Sequence, residues 1–354
     1  MLKRLGKTSL TAVCLAAFFL CCAAFFGPEA RAEEDLTAYR VREEKVTGLI
    51  DGIIRFRDQT EETMRALGLL PAPWPSVVDR VHDPEGSAVF QFRKGAELLE
   101  IWFPNIRDAD EAIVTYQGDV WLIDCGDRRW GLRGVRLMQL LGIDHVDRLF
   151  NSHPHHDHLN GLQVTDDNMK VGELLICFPS TATEHSVFAM RSCEVRGIRV
   201  KEYGDGDTFA MGDGRVTLTV CQNSDPALDM NNRSALTMIR YGDRSIFFTG
   251  DMEQPGQQSL MERTDSAWLK CDILKYPHHG KSPLNEAFYR ALSPLLTVVT
   301  SQENRPDAGQ LWIREKGLPA VYTNKTDTYV HLATEGHVWL CEYVTAAELK
   351  KRGR

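Results

Sequence analysis

The chain has 354 residues, of which 43% are hydrophobic and 25% charged, with a formal net charge of −8. That length and mixture belong to an ordinary globular protein able to bury a sizeable core, as one large domain or two smaller ones, and exclude a fibrous or low-complexity chain. The acidic balance disfavours non-specific attraction to a nucleic-acid backbone, so an extended nucleic acid is not the expected partner.

The first 32 residues differ from the rest. MLKRLGKTS is a basic start, LTAVCLAAFFLCCAAFF an apolar run, and Ala30 to Ala32 a small-x-small site. Together they predict a signal peptide cleaved after Ala32 and an exported chain, periplasmic or extracellular; the other reading is an uncleaved anchor. Cleavage takes the formal charge from −8 to −11, because the segment holds Lys3, Arg4, Lys7 and Arg31 against Glu29 alone. No later segment is apolar and long enough to span a membrane. Six cysteines remain, Cys125, Cys177, Cys193, Cys221, Cys271 and Cys341. Their spacing matches neither a disulfide framework nor a CxxC metal site, and leaves open both pairing and buried thiols.

Residues 33–95 read as an N-terminal helical extension and linker: Val46, Leu49, Ile50, Ile53 and Ile54 fall at helical spacing before the prolines of LLPAPWP. From residue 96 the texture turns to strands in ELLEIWF, EAIVTY and VWLIDCGD, with a tight Gly-Asp turn between the last two. WGLRGVRLMQLLGI suits a helix and DRLFNS a short strand. Then come the strands RVTLTVCQ, SALTMIRY and RSIFFTGD, a helix around QQSLMER, the strand CDILKYPHHG, a helix near NEAFYRAL, and the strands LTVVTS, PAVYTN and HVWLCEY. Alternation of strands and helices, with Gly-Asp turns joining adjacent strands, predicts mixed sheets. Residues 96–345 read as the principal domain and 346–354 as a basic tail.

Directly after DRLFNS comes HPHHDH, which places His153, His155, His156 and His158 beside Asp157 in a chain with 11 histidines. Imidazole and carboxylate are the usual ligands of zinc and similar divalent ions, and two neighbouring ions need about seven or eight ligands. One loop does not supply that many. His153 and His155 can face one ion and Asp157 and His158 a second, which leaves His156 over. Other strand tips offer Asp124, Asp251, His278 and His279, and a carboxylate such as Asp251 can bridge two cations.

NSHPHHDHLNG resembles the HxHxDH signature of the metallo-β-lactamase superfamily, and LIDCGD, FFTGD and YPHHG follow in that superfamily's order. NNRSALTMIRYGDRSIFFTGDME, DILKYPHHGKSPLNEAFYRALSPLLTVVTS and AVYTNKTDTYVHL narrow the resemblance to the hydrolase domain of ComEC-type competence proteins and secreted relatives such as phosphorylcholine esterases. It covers about residues 97 to 343. The resemblance implies an α/β fold, a four-layer αβ/βα sandwich of two mixed sheets flanked by helices, with the metal site at one rim. It implies His153 and His155 on the first metal, Asp157 and His158 on the second, Asp251 between them, one of His278 and His279 completing the second site, and Asp124 orienting a ligand histidine.

The sequence departs from the family pattern at three places. Where a further histidine ligand is usual, it has Asn231 and Asn232, which leaves the first site to water or to an amide, with His185 as another candidate. Lys281 is inserted ahead of Ser282 after the paired histidines. Asn304, Arg305 and Pro306 replace a longer stretch that carries a histidine. Lys281 and Arg305 are candidates for holding a substrate anion.

The reading is of an exported metal-dependent hydrolase with a metal-bound hydroxide as nucleophile and Asp157 as a candidate proton acceptor. The cofactor expected is a pair of zinc ions, with manganese second. The substrate expected is a small phosphoester, a diester in particular. Hydrolysis of a lactam, lactone or thioester, and a non-catalytic binding protein that keeps the fold, are the alternatives.

Overall fold

The structure, a computed structural model, describes residues 78–82, 88–303, 306–325 and 327–352. The expected signal peptide and the helical spacing of residues 46–54 lie outside the described residues. Within the stretch read as linker, β1 (Val78–His82) and β2 (Ala88–Phe92) pair as an antiparallel hairpin.

One sheet runs through β3 (Leu99–Phe103), β4 (Glu111–Tyr116), β5 (Asp119–Cys125), β6 (Val146–Asn151), β7 (Val171–Ile176) and β8 (Arg199–Glu202). Beyond β3 it continues into β16 (Thr328–Thr334) and then β17 (Trp339–Thr345). The other sheet contains β9 (Thr208–Met211), β10 (Val216–Gln222), β11 (Ala235–Tyr241), β12 (Arg244–Phe248), β13 (Ile273–Lys275), β14 (Leu296–Val299) and β15 (Ala320–Tyr322). Each sheet is mixed, as expected. β5 through β8 and β12 through β15 pair in parallel, and the remaining neighbours are antiparallel.

The two tight turns sit where the sequence places them, but the first is one residue earlier. Tyr116 pairs with Asp119, so Gln117 and Gly118 form the turn, both at positive φ, as the twist of a two-residue hairpin requires. The strands PAVYTN and HVWLCEY end up in different sheets, β15 beside β14 and β17 beside β16.

The central strands, such as β4, β5 and β11, are buried on both faces, so they read as nearly continuous apolar runs. Along β5, Trp121 and Ile123 enter the core between the sheets, while Val120 and Leu122 pack outward. Phe248 of β12 and Ile239 of β11 reach the same core from the other side. Fully burying each such side chain contributes about 1.5–3 kcal/mol.

Helices cover both outer faces. On the first sheet, α1 (Gly131–Leu140), α3 (Leu162–Met169) and α4 (Glu184–Arg196) bury Leu137, Leu162 and Ala189. A short α2 (His156–Leu159) precedes α3. On the second sheet, α5 (Gln254–Arg263), α6 (Ser266–Leu269), α7 (Glu286–Leu292) and α8 (Ala308–Glu315) bury Leu260, Leu269, Phe288 and Ile313. α9 (Ala346–Lys351) closes the chain with a capping box between Thr345 and Glu348, so the tail read as basic begins as a helix. The fold is a four-layer αβ/βα sandwich. Among the described residues no helix is long and apolar enough to cross a membrane.

Candidate metal centre

Four strand ends meet at one rim. β6 runs out at Asn151, and the chain delivers His153 through a bend and His155 in extended backbone before α2 begins. Asp157 and His158 then come from the helical turn. The loop can close on β5 only because residue 161 is glycine: a Cβ there would lie 1.8 Å from the Cys125 carbonyl oxygen.

β12 supplies Asp251 through a turn at Gly250, whose φ is +49 and whose Cβ would meet Ser234 at 2.7 Å. β13 supplies the paired histidines on a distorted 3-10 turn. His278 and His279 both stand in left-handed backbone, at φ 50 and 54. For residues other than glycine each such conformation costs about 1–3 kcal/mol, and strain of this kind gathers at functional sites.

The side chains converge. His153, His155 and Asp251 each place one ligand atom within 4.8 Å of the others, and Asp157, His158, Asp251 and His279 do the same. Asp251 belongs to both groups. Its Oδ2 lies 3.8 Å from His153 Nε2, and its Oδ1 lies 3.1 Å from His158 Nε2 and 3.7 Å from His279 Nε2. Asp157 Oδ2 is 3.4 Å from His279 Nε2.

His158 Nε2, Asp251 Oδ1 and His279 Nε2 are nevertheless buried without a hydrogen-bond partner. Leaving such atoms unpaired costs about 1–3 kcal/mol each, more for a charged group. A cation among them would satisfy all three, and the nitrogen and oxygen donors suit zinc or a similar divalent ion.

Electrostatics point the same way. Burial, reinforced by His158, holds His153 well below the ordinary histidine pKa, and burial lowers His155 and His279. Neutral imidazoles are what a metal requires. Burial opposes ionisation of Asp251 and Asp157, but the surrounding histidines outweigh it and keep both carboxylates below their usual range. His158 is the exception: burial disfavours its charge, yet Asp251 and Asp124 raise its pKa well above the ordinary value.

Residues 121–293 match the family model described as Beta-lactamase superfamily domain. That match, over just under half of the chain, makes this region similar to the metallo-β-lactamase superfamily. ComE operon protein 3 of Bacillus subtilis is 27% identical over 164 residues, 46% of this chain and 21% of that protein. Ribonuclease Z of Methanopyrus kandleri is 30% identical over 119 residues, 33% of this chain and 41% of that protein. The chain thus spans about a fifth and two fifths of the lengths of these relatives. Among solved structures, a mutant metallo-β-lactamase from Cronobacter sakazakii aligns with a TM-score of 0.35 and 17% identity, over 49% of this chain and 75% of that one.

Around this metallo-β-lactamase-like rim lies a layer of buried polar residues. Asp124 accepts from Ser152 N at 2.7 Å, Ser152 Oγ at 2.7 Å and Asn151 Nδ2 at 3.1 Å, and meets His158 Nδ1 at 2.8 Å. It thereby turns His158 Nε2 toward Asp251. A matching device behind His279 was not anticipated from the sequence. His279 Nδ1 lies 3.1 Å from both Asp110 Oδ1 and Thr300 Oγ1, and Asp110 is held by Thr300 Oγ1 at 2.6 Å and by the buried Lys275. Lys275 ends β13, three residues before His278, and a lysine inside an apolar run was the available signal. Asp110 had none, since it lies just ahead of β4, about 170 residues before its partner.

The paired histidines differ in setting. His279 is buried in the second group, whereas His278 Nδ1 is 3.0 Å from Glu253 Oε1 and its Nε2 is 3.6 Å from Asp251 Oδ2. Exposed Lys281 reaches His278 Nε2 at 3.0 Å, and Ser282 Oγ donates to Glu253 at 3.1 Å. Asn232 Oδ1 accepts from the backbone N–H groups of Glu253 and Gly256 at 3.0 and 2.9 Å, and so caps the start of α5. Asn231 Oδ1 is buried without a hydrogen-bond partner. His156 is exposed, and His185 pairs with Asn160 Nδ2 at 3.1 Å outside both groups. Asn304 and Arg305 lie outside the described residues. The six cysteines past residue 32 are free thiols.

Proposed function

We propose that the chain is a metal-dependent hydrolase acting on phosphodiester bonds, with two divalent cations, zinc in first place and manganese in second. His153, His155 and Asp251 would hold one cation, and Asp157, His158, Asp251 and His279 the other. The observation that carries this reading is the convergence of three buried, unpartnered donor atoms on His158, Asp251 and His279. Bound cations supply Lewis acidity toward a phosphoryl oxygen and lower the pKa of water. The protein's part is orientation and proton placement. Asp124 and Asp110 fix the two histidine rings from behind, and Asp157, ionised and 8% exposed, is the carboxylate through which a proton can leave.

A relative named as a ribonuclease supports phosphodiester over lactam bonds. We also read residues 1–32 as an export leader.

The test is a His153→Ala, His155→Ala double variant, assayed for bound metal by mass spectrometry and for hydrolysis of bis-p-nitrophenyl phosphate and a chromogenic lactam. Loss of at least half the metal and of diester hydrolysis is expected. Full diester activity in the double variant refutes the assignment, and turnover of the lactam alone refutes the substrate class.

A further inference from the structure

The rim has a second feature with no part in holding metal. Three guanidinium groups surround the half-buried Trp130: the Cζ atoms of Arg107, Arg129 and Arg133 lie 5.1, 4.8 and 4.4 Å from its ring centre. Arg128 adjoins them in sequence. Arg136 follows Arg133 by three residues along α1, on the same side of the helix. Arg107, Arg128, Arg129 and Arg136 are exposed.

Several other arginines are paired: Arg196, Arg215, Arg263, Arg290 and Arg352 each face a carboxylate. Among the described residues none of the five around Trp130 makes an ion pair. The two nearest acids in sequence are otherwise engaged, Asp108 by Ser301 Oγ at 2.8 Å and Asp127 by the Trp130 N–H at 2.7 Å. Arg133 is held in place by the Asn105 carbonyl and amide oxygens, at 3.0 and 3.2 Å. Five like charges without a counter-ion repel one another, and on a chain of net charge −8 such a cluster is a local reversal of the field.

Its position is fixed by topology. β3 and β5 end and β4 begins at the rim that carries Asp110 and Asp124. The Arg107 loop and the segment bearing Arg129 are tied together there by the Gly126 N–H, which donates to the Asp110 carbonyl at 2.7 Å. Arg107 is three residues from Asp110, hence within about 11 Å of it along the chain.

We infer that this arginine cluster is an anion subsite that holds the non-reacting phosphates of a polyphosphodiester chain while one phosphate lies at the metal centre. The inference rests on the phosphoester reading for that last clause. With three guanidinium groups about it, the Trp130 ring serves to array charge. The subsite reads backbone phosphate.

The test uses the full chain and two fluorescein-labelled octamers with phosphorothioate linkages, one an oligothymidylate and one abasic, followed by anisotropy at several salt concentrations. Both should bind. In an R107Q/R129Q/R136Q variant both should bind at least tenfold more weakly, and the slope of log affinity against log salt should fall by about 2, at about 0.7 for each phosphate no longer neutralised. Hydrolysis of bis-p-nitrophenyl phosphate, which has no second phosphate, should stay within twofold. Unchanged affinity and slope in the variant overturn the inference, as does binding of the thymidylate without the abasic octamer. Weakened octamer binding with no diester hydrolysis by either protein sustains the subsite and overturns the hydrolase reading instead.

Discussion

Asp124 is the residue whose replacement tests the metal centre most sharply, because it touches His158 from behind and is itself 2% exposed. Truncation to alanine is too blunt. It leaves Ser152 N buried without a partner and takes the carboxylate from His158 Nδ1, at about 1–3 kcal/mol each, a large share of an ordinary folding stability of about 5–15 kcal/mol. Asp124→Asn keeps an acceptor for Ser152 N but sets an amide N–H₂ toward His158 Nδ1. The ring then has to accept at Nδ1 and carry its proton on Nε2, the atom that faces Asp251 3.1 Å away. A protonated Nε2 has no lone pair for a cation, and changes of this kind weaken metal affinity by about 10- to 100-fold. His153 and His155 do not touch Asp124, so the expected result is loss of one of two metal equivalents under chelator competition. Thermal stability should fall by about 1–3 kcal/mol. Full retention of both equivalents would refute the role assigned to Asp124.

Two further predictions follow from buried groups. Glu111 is buried with both carboxylate oxygens unpartnered, and burial pushes its pKa from 4.5 up to about 8. A raised carboxylate pKa means stability that is present below about 4.5 and lost as pH rises toward 8. At about 1.4 kcal/mol per unit the loss reaches at most about 5 kcal/mol. Denaturant unfolding between pH 5 and 9 should therefore be flatter for Glu111→Gln than for the parent, and parallel curves contradict the reading. Asn232→Ala removes the acceptor for two backbone N–H groups at the start of α5 and should cost about 1–3 kcal/mol in stability. Metal content, measured on the same sample, should not change. Metal loss without destabilisation would make Asn232 a ligand instead.

What could be read in advance was what depends on near neighbours in the chain. The dense HPHHDH run, the strand tips at Asp124, Asp251 and His278–His279, and the alternation that marks mixed sheets are local patterns, and the structure brings those residues to one rim. The sequence left His278 and His279 equivalent. Only folding separates them, since two consecutive left-handed residues turn His279 into the buried group and His278 toward Glu253.

The same holds for the pair of asparagines. The resemblance alone places Asn232 near a usual ligand position, whereas the packing of α5 commits its amide oxygen to two backbone donors. Asp110 and Lys275, 165 residues apart, carry no sign of each other in the sequence. Their ion pair forms because the two sheets stack face to face and bring the start of β4 over the end of β13. Chemistry set by residue type and short spacing is thus fixed by the chain itself. Which of those groups face one another across the core is decided by long-range strand order, which no short stretch contains.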